Sequence, residues 1–530
     1  MSETTVHPYP PNTSFNGGDL DCGNGLLLLI RKHIDPLQPG DLLEIISYDS
    51  TVEDDLPSWC RLTRNELVNV HKDEEKWRFL VSKGPFHTPE ATAPAATPTT
   101  PPVDPAPEPV TAKKTKKRKK PQMEVTQEIV TPHIPTSFPE PSPAPRLEPL
   151  SVLPMGSWPR PRWLLDALHK HLEGQISDAE FNETADDAVR LAVAAQERAG
   201  VDVVTDGEQR RDNYSSFVAG LLQNCQLIPI TDLLPYVDDP VEFEQELRAL
   251  DVPAGEVRHP AVFGPLGRDT PLVVPEVTFA QSLTDKPVKV SLPGPYLLAR
   301  TMWMECVSDR AYLDREELAR DVVRILREEI HDLLAAGTVL IQLDEPVLTE
   351  VLYGQAGQGG RTFMCGALGE RGETAPELDF AQGLLQEVTA GFPAQRLGVH
   401  VCRGNWTADE SAALSGDYRP LIPLLSSLNV ENLLLELCTP RAGELSALAG
   451  LRDDQRIGVG VVNQKIAEID SVDEVVSRID RAIDAFGQER VLLNTDCGFA
   501  TFADNPIVTA GVAEQQLKVI AEARDRIRNR

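Results

Sequence analysis

Eight short apolar runs, near residues 151–156, 201–206, 287–293, 338–344, 396–402, 431–437, 456–462 and 490–496, punctuate the last two-thirds of this chain. Amphipathic helical patterns, such as 316–336, 472–486 and 508–527, separate most of them. Strand-length runs alternating with helical returns describe a parallel sheet, and eight repeats favour closure into a (β/α)8 TIM barrel over an open sheet. The stretch 214–283 is too long for a simple return and predicts a lid or hairpin.

A length of 530 residues exceeds one ordinary domain, so a second folded unit is expected ahead of the barrel. Between Gly84 and Leu150 the composition turns to Pro, Ala, Thr and Lys, which cannot bury enough apolar area to offset ordering entropy. The expected order is therefore a disordered 1–13, a small α/β module over 14–84, a mobile tether over 85–149 and the barrel over 150–530. The basic run from Lys113 to Lys120 reads as a solvated spacer, with an acidic partner or RNA as the alternative.

Composition narrows the function classes. A formal net charge of −30 argues against nucleic-acid binding, which is held mainly by Lys and Arg. The longest aliphatic run, Leu26 to Ile30, is far below the roughly 18 residues that suggest a membrane span. Eight cysteines in so long a chain make no disulfide framework, and the first residues lack a secretory pattern, so a reducing cytoplasm is the expected compartment. There, cysteines are more often buried, catalytic or metal-bound than paired.

The polar residues that interrupt the runs fall at their C-terminal ends, where a barrel builds its active site. Glu208 follows the second run, Gly294-Pro295 the third and Asp344-Glu345-Pro346 the fourth; His400 and Cys402 end the fifth, Glu436 the sixth and Cys497 the eighth. Residues i and i+2 of a strand share a face, so His400 and Cys402 can bind one ion together. With Glu436 and Cys497 they form a plausible tetrahedral zinc shell of two thiolates, one imidazole and one carboxylate. Glu208 or Asp344 alone reads equally well as a helix cap. Arg403 and Asn405 either orient substrate or stabilise their loop, and Cys225, Cys306, Cys365 and Cys438 read as small buried hydrophobes.

The segments 205–211, 290–295, 342–348, 400–405, 434–436 and 494–498 resemble the C-terminal catalytic barrel of cobalamin-independent methionine synthase, here in a short form. The resemblance implies a methyltransferase in which His400, Cys402, Glu436 and Cys497 hold Zn²⁺ and the thiolate of homocysteine attacks a nitrogen-bound methyl group. It implies that Glu208 and Asp344 bind the amino group of that thiol substrate. Lys465 occupies the turn where the family presents a proton-donating histidine. The second, N-terminal half that helps the family hold its folate is absent, so either 5-methyltetrahydropteroyltri-L-glutamate or a corrinoid protein fits as methyl donor.

In the first module, Asp19-Leu20-Asp21-Cys22-Gly23-Asn24-Gly25 reads as a glycine turn feeding a helix, and Pro39-Gly40-Asp41 opens an alternating strand over 42–47. This order, with the later Asp55-Leu56-Pro57-Ser58-Trp59-Cys60, resembles the TusA-type sulfur carriers, two-layer α/β sandwiches with a reactive cysteine at a helix start. Cys22 is then the candidate persulfide, although Cys-Gly-Asn-Gly departs from that family's Cys-Pro-x-Pro; Cys60 reads as packed. Two alternatives follow: sulfur on Cys22 feeds the barrel to form a thiol, or the whole chain is a non-catalytic relay acting with another sulfur-carrying protein.

Overall fold

The computed structural model describes residues 7–18, 26–86, 125–229, 258–354 and 373–530, except 35–36, 39, 50–51, 63–64, 74–75, 126, 305–306, 406–407, 409 and 411–412. The chain divides near residue 122 into two compact units.

The first unit has strands β1 (Thr13–Asn16), β2 (Leu42–Ser47), β3 (Glu66–Lys72) and β4 (Trp77–Ser82), with helices α1 (Leu27–Ile34) and α2 (Val52–Leu62). The sheet order is β1-β2-β4-β3, with β1 parallel to β2 and the other pairs antiparallel. Strand alternation sorts β2 into two faces: Leu43 and Ile45 join Leu26, Ile30, Leu56 and Cys60 in the core, so Cys60 is packed as expected. Glu44, on the other face, accepts from Ser14 Oγ (2.7 Å) and Arg78 Nη1 (3.1 Å). The sandwich expected from sequence is present; Cys22 and the basic run from Lys113 to Lys120 lie outside the described residues.

In the second unit, β7 (Lys289–Pro293), β8 (Leu340–Asp344), β9 (Leu397–Val401), β10 (Asn432–Leu435), β11 (Arg456–Val462) and β12 (Val491–Thr495) form a wholly parallel sheet in sequential order. The first two apolar runs close it. Val152 bridges Leu493 of β12, Val204 bridges Val288 just before β7, and Asp202 N donates to Val152 O (3.1 Å). All eight runs thus become barrel staves. The two closing staves are short because each makes one bridge, not because the apolar signal fails.

The expected elaboration after Tyr214 contains an antiparallel hairpin of β5 (Gln223–Pro229) and β6 (Arg258–Gly267), then a helix, Val274–Gln281. Two segments are more ordered than their composition suggests. The stretch 127–149 runs along the barrel: Asn224 bonds Val130 through both its amide atoms (2.8 and 2.7 Å), Arg396 Nη1 donates to Ser142 O (2.6 Å), and Phe138 stacks on His331. Its prolines limit unfolded-state freedom, so a few such bonds suffice to fix an extended strap. At the N-terminus, His7 bonds Asn69 (2.9 Å) and Asn12 pairs with Leu42, so the sheet edge orders 7–12 as well.

Candidate metal and substrate site

The strand ends place three soft or borderline donors together. His400 lies in β9, Cys402 just beyond it, and Cys497 two residues past β12; one ligand atom from each lies within 4.8 Å of the others, and all three are buried. Backbone contacts hold these positions: Thr349 Oγ1 donates to Cys402 O (2.7 Å) and Thr495 Oγ1 to Cys497 O (2.8 Å). His400 Nδ1 donates to Leu434 O (2.9 Å), which leaves Nε2 to carry the lone pair. That Nε2 is buried without a hydrogen-bond partner. A buried polar atom normally finds one, so two sulfurs and an unpartnered imidazole nitrogen fit a thiophilic cation such as zinc.

The three groups already share charge. The Cys497 hydrogen bond, opposed by burial and assisted by His400, holds the Cys402 thiol well below its ordinary range, while the same hydrogen bond and burial push Cys497 up. Burial opposes charge on His400, but the neighbouring Cys402 and Asp344 raise it. One thiolate is thus favoured before any ion arrives.

Glu436, expected as a fourth ligand, is fully buried beside this cluster but not part of it. Its Oε2 accepts from Arg403 N (2.8 Å) and Asn405 Nδ2 (2.7 Å), and its Oε1 from Arg441 Nη2 (2.8 Å). Burial, then Asp496, pushes its carboxyl up to about 7. Arg403 resolves as a loop clamp, donating to the carbonyls of Gly416, Glu436 and Ala442 and to Tyr418 Oη. Lys465 is buried, and burial followed by Arg441 lowers its pKa against the pull of Glu436, Cys497 and Cys402. It is not among the residues that line the cavity.

That cavity, partly open to solvent, joins the donor cluster to both sequence-predicted carboxylates, Glu208 and Asp344. Glu208 accepts a short hydrogen bond from Ser291 Oγ, and Arg211 Nη1 stands 3.7 Å from its carboxylate. Its backbone is left-handed (φ 54°), following Gly207 at φ 75°. A non-glycine residue there costs on the order of 1 kcal/mol, and the turn is held by Arg160 Nη2 donating to Glu208 O (2.6 Å). Asp344 accepts from Gln342 Nε2 (2.7 Å), and burial pushes it up to about 6.

Several contributors carried no sequence signal of their own. Met155, Gly156 and Ser157, beyond the first stave, line the cavity, and a Cβ at Gly156 would collide with the Glu208 carboxylate. Asp496 accepts from the backbone N–H groups of Leu437 and Cys438 (both 2.9 Å), tying the loop after β10 to the Cys497 segment. Glu345 caps the helix that follows β7, Pro295–Met302, through the N–H groups of Tyr296 (2.8 Å) and Leu297 (3.0 Å). In the Asp-Glu-Pro motif the second acid is therefore the cap and the first faces the cavity, a division that the spacing alone leaves open. Cys225 is buried, as expected, and Cys438 is half-buried with its thiol pushed up by burial; Cys306 and Cys365 lie outside the described residues.

The family model described as the cobalamin-independent synthase catalytic domain matches residues 151–228, 248–361 and 411–515. A second model, for the sulfurtransferase TusA, matches residues 25–83. Among curated relatives, a methionine synthase of Sulfurisphaera tokodaii is 28% identical over 356 residues, covering 66% of this chain and 87% of its own. One of Saccharolobus solfataricus is 27% identical over 354 residues, covering 66% and 89%. Among solved structures, the B12-independent methionine synthase of Shewanella sp. W3-18-1 in complex with selenomethionine superposes with a TM-score of 0.53 at 21% identity, over 72% of this chain and 98% of that one. A putative vitamin-B12 independent methionine synthase of Listeria monocytogenes gives 0.51 at 20% identity, over 72% and 99%. His400 and Cys402 fall between the matched stretches, so their part in the site rests on geometry.

Proposed function

Because the chain belongs to the cobalamin-independent methionine synthase catalytic-domain family, a methyltransferase family, we propose that its barrel is a zinc-dependent S-methyltransferase that converts homocysteine to methionine. The observation that carries this reading is the convergence of Cys402, Cys497 and the unpartnered His400 Nε2 on a cavity shared with Glu208 and Asp344. His400, Cys402 and Cys497 would hold the ion. Zinc would supply a Lewis acid that keeps a thiol deprotonated near neutral pH.

The chain's own residues supply the rest. Glu208 and Asp344 accept charge-assisted hydrogen bonds from the acceptor's ammonium group and so aim its sulfur at the donor cluster. Placing sulfur and methyl group in line accounts for much of the rate, because the protein bears the orientational entropy in advance. Glu436 stays engaged with Arg441 and Asn405, beside the metal cluster. Lys465, its ammonium form disfavoured by burial, would return a proton to the demethylated donor nitrogen, which requires it to reach a cavity it does not line here.

The test is metal analysis of wild type and Cys497→Ser with methylation assays offering homocysteine and either 5-methyltetrahydropteroyltri-L-glutamate or a methyl-corrinoid protein. About one zinc per chain and methionine from one of the donors is the expected result. Homocysteine left untouched with both donors rejects the methionine reading. One second reading, in which a Cys22 persulfide feeds the barrel, rests on the TusA-like module alone, since the family match over residues 25–83 begins past Cys22. Cys22→Ala separates the two, since turnover survives that change on the first reading, whereas on the second it is abolished and restored only by an added thiol. Among the described residues no helix is long and apolar enough to cross a membrane.

A further inference from the structure

A lysine stands in the barrel interior beneath the two carboxylates. Lys289, the first residue of β7, is buried and shares its strand face with Ser291, the donor to Glu208. Barrel interiors are ordinarily packed with bulky apolar side chains, and a buried ammonium carries a desolvation cost that Val or Leu avoids. Burial draws Lys289 down to about 8, while Asp344 and Glu208 oppose that pull.

Its hydrogen bonds explain what the cation does there. Lys289 Nζ donates to Pro154 O (2.8 Å) and, in a short bond, to Met155 O. The Met155 carbonyl also accepts from Gln342 Nε2 (3.2 Å), and the same amide nitrogen donates to Asp344 Oδ1 (2.7 Å). Met155, Gln342 and Asp344 all line the cavity, whereas Lys289 does not. Lys289 supplies a positive charge that acts on Asp344.

We propose that Lys289 is a positioning residue for acceptor recognition: by fixing the Pro154 and Met155 carbonyls it sets, through Met155 O and Gln342, the orientation in which Asp344 meets the acceptor's ammonium group. This rests on the reading that Glu208 and Asp344 hold that group. It makes discrimination for an amino-bearing thiol depend on a residue that touches neither substrate nor metal.

The experiment is calorimetric titration of zinc-loaded wild type and Lys289→Met with L-homocysteine and with 4-mercaptobutyrate, which keeps the thiol and carboxylate but lacks the amine. Lys289→Met is expected to weaken homocysteine about tenfold or more and to leave 4-mercaptobutyrate within about twofold, because only the former uses Asp344. Equal loss for both thiols, or loss for neither, overturns the proposal by leaving Lys289 a packing residue. Should Lys289→Met fail to fold, Gln342→Leu cuts the relay to Asp344 and must give the same selective loss; an unselective result there overturns it equally. Wild type that binds neither thiol rejects the acceptor reading itself and this proposal with it, whereas selective wild-type binding that survives both changes rejects this proposal alone.

Discussion

The two walls of the cavity solve opposite problems. On the side built by β9 and the segment after β12, the functional atoms are left unspent: His400 Nε2 has no partner, and the two sulfurs bond chiefly within their own cluster. On the side built by the second stave, β7 and β8, the functional atoms are committed, with Ser291 on Glu208 and Gln342 on Asp344. A metal donor must offer its lone pair to the ion, so competing hydrogen bonds weaken it. A carboxylate that recognises an ammonium must be aimed, and a hydrogen bond on one oxygen aims the other.

If that contrast is right, substitutions on the two walls fail in different ways. On the donor wall, Cys402→Ser, Cys497→Ser or His400→Ala should empty the site and cost activity about 10³-fold or more, since Lewis-acid assistance is worth several kcal/mol. Zinc content by atomic emission and turnover should fall together; activity surviving in a metal-free variant breaks the comparison. On the carboxylate wall, Glu208→Gln should leave zinc bound but lose a charge-assisted hydrogen bond of about 2–3 kcal/mol, raising the homocysteine KM about 30- to 160-fold. Equilibrium zinc titration beside steady-state kinetics separates the two patterns.

The donor wall was the more legible in sequence, for a physical reason. Cysteine and histidine at i and i+2 of a strand are chemically loud, and the barrel rule brings distant strand ends to one mouth. The fold was legible on the same grounds, since all eight staves coincide with apolar runs, including the two that make a single bridge each. What the sequence did not disclose depends on side-chain commitments fixed only by packing. Glu436 carries the right chemistry at the right strand end, yet Arg441, five residues on, takes one of its oxygens. Lys289 lies inside an apolar run, and nothing in the sequence shows that the Glu208 carboxylate fills the space beside Gly156. The strap at 127–149 was misjudged because composition measures what a segment can bury alone, not the bonds a neighbouring barrel offers it.

A smaller effect sharpens the account of the carboxylate wall. Burial, with Glu208 adding to it, pushes Asp344 up to about 6, and only its ionised form attracts an ammonium. Acidification through that value therefore removes the attraction while the acceptor's own amine keeps its proton. Homocysteine affinity, which already falls with acid because the thiol must shed its proton to bind, should fall more steeply below about pH 6 in wild type, by up to about a further tenfold per pH unit. In Asp344→Asn this dependence should flatten, starting from weaker binding throughout. A calorimetric titration series from pH 5 to about 8 reads both; an acid limb unchanged in the variant assigns the titration to another group.

Glu436 stands where the two walls meet and is the most discriminating position for its size of effect. As a resting ligand it belongs with the donor wall, and its loss should empty the site as the loss of Cys497 does. Held by Arg403 N, Asn405 and Arg441, it belongs instead with the committed groups, and acts on the ion through charge at a distance. Glu436→Gln keeps the shape and one acceptor oxygen while removing that charge. The expected outcome is retained stoichiometry with zinc affinity reduced about ten- to a hundredfold, the range for groups that support metal ligands without binding the metal. Chelator competition gives the affinity, and X-ray absorption of the loaded protein should count the same two sulfurs in variant and wild type. Loss of stoichiometry on dialysis would move Glu436 into the shell and require Arg441 to release it when metal binds.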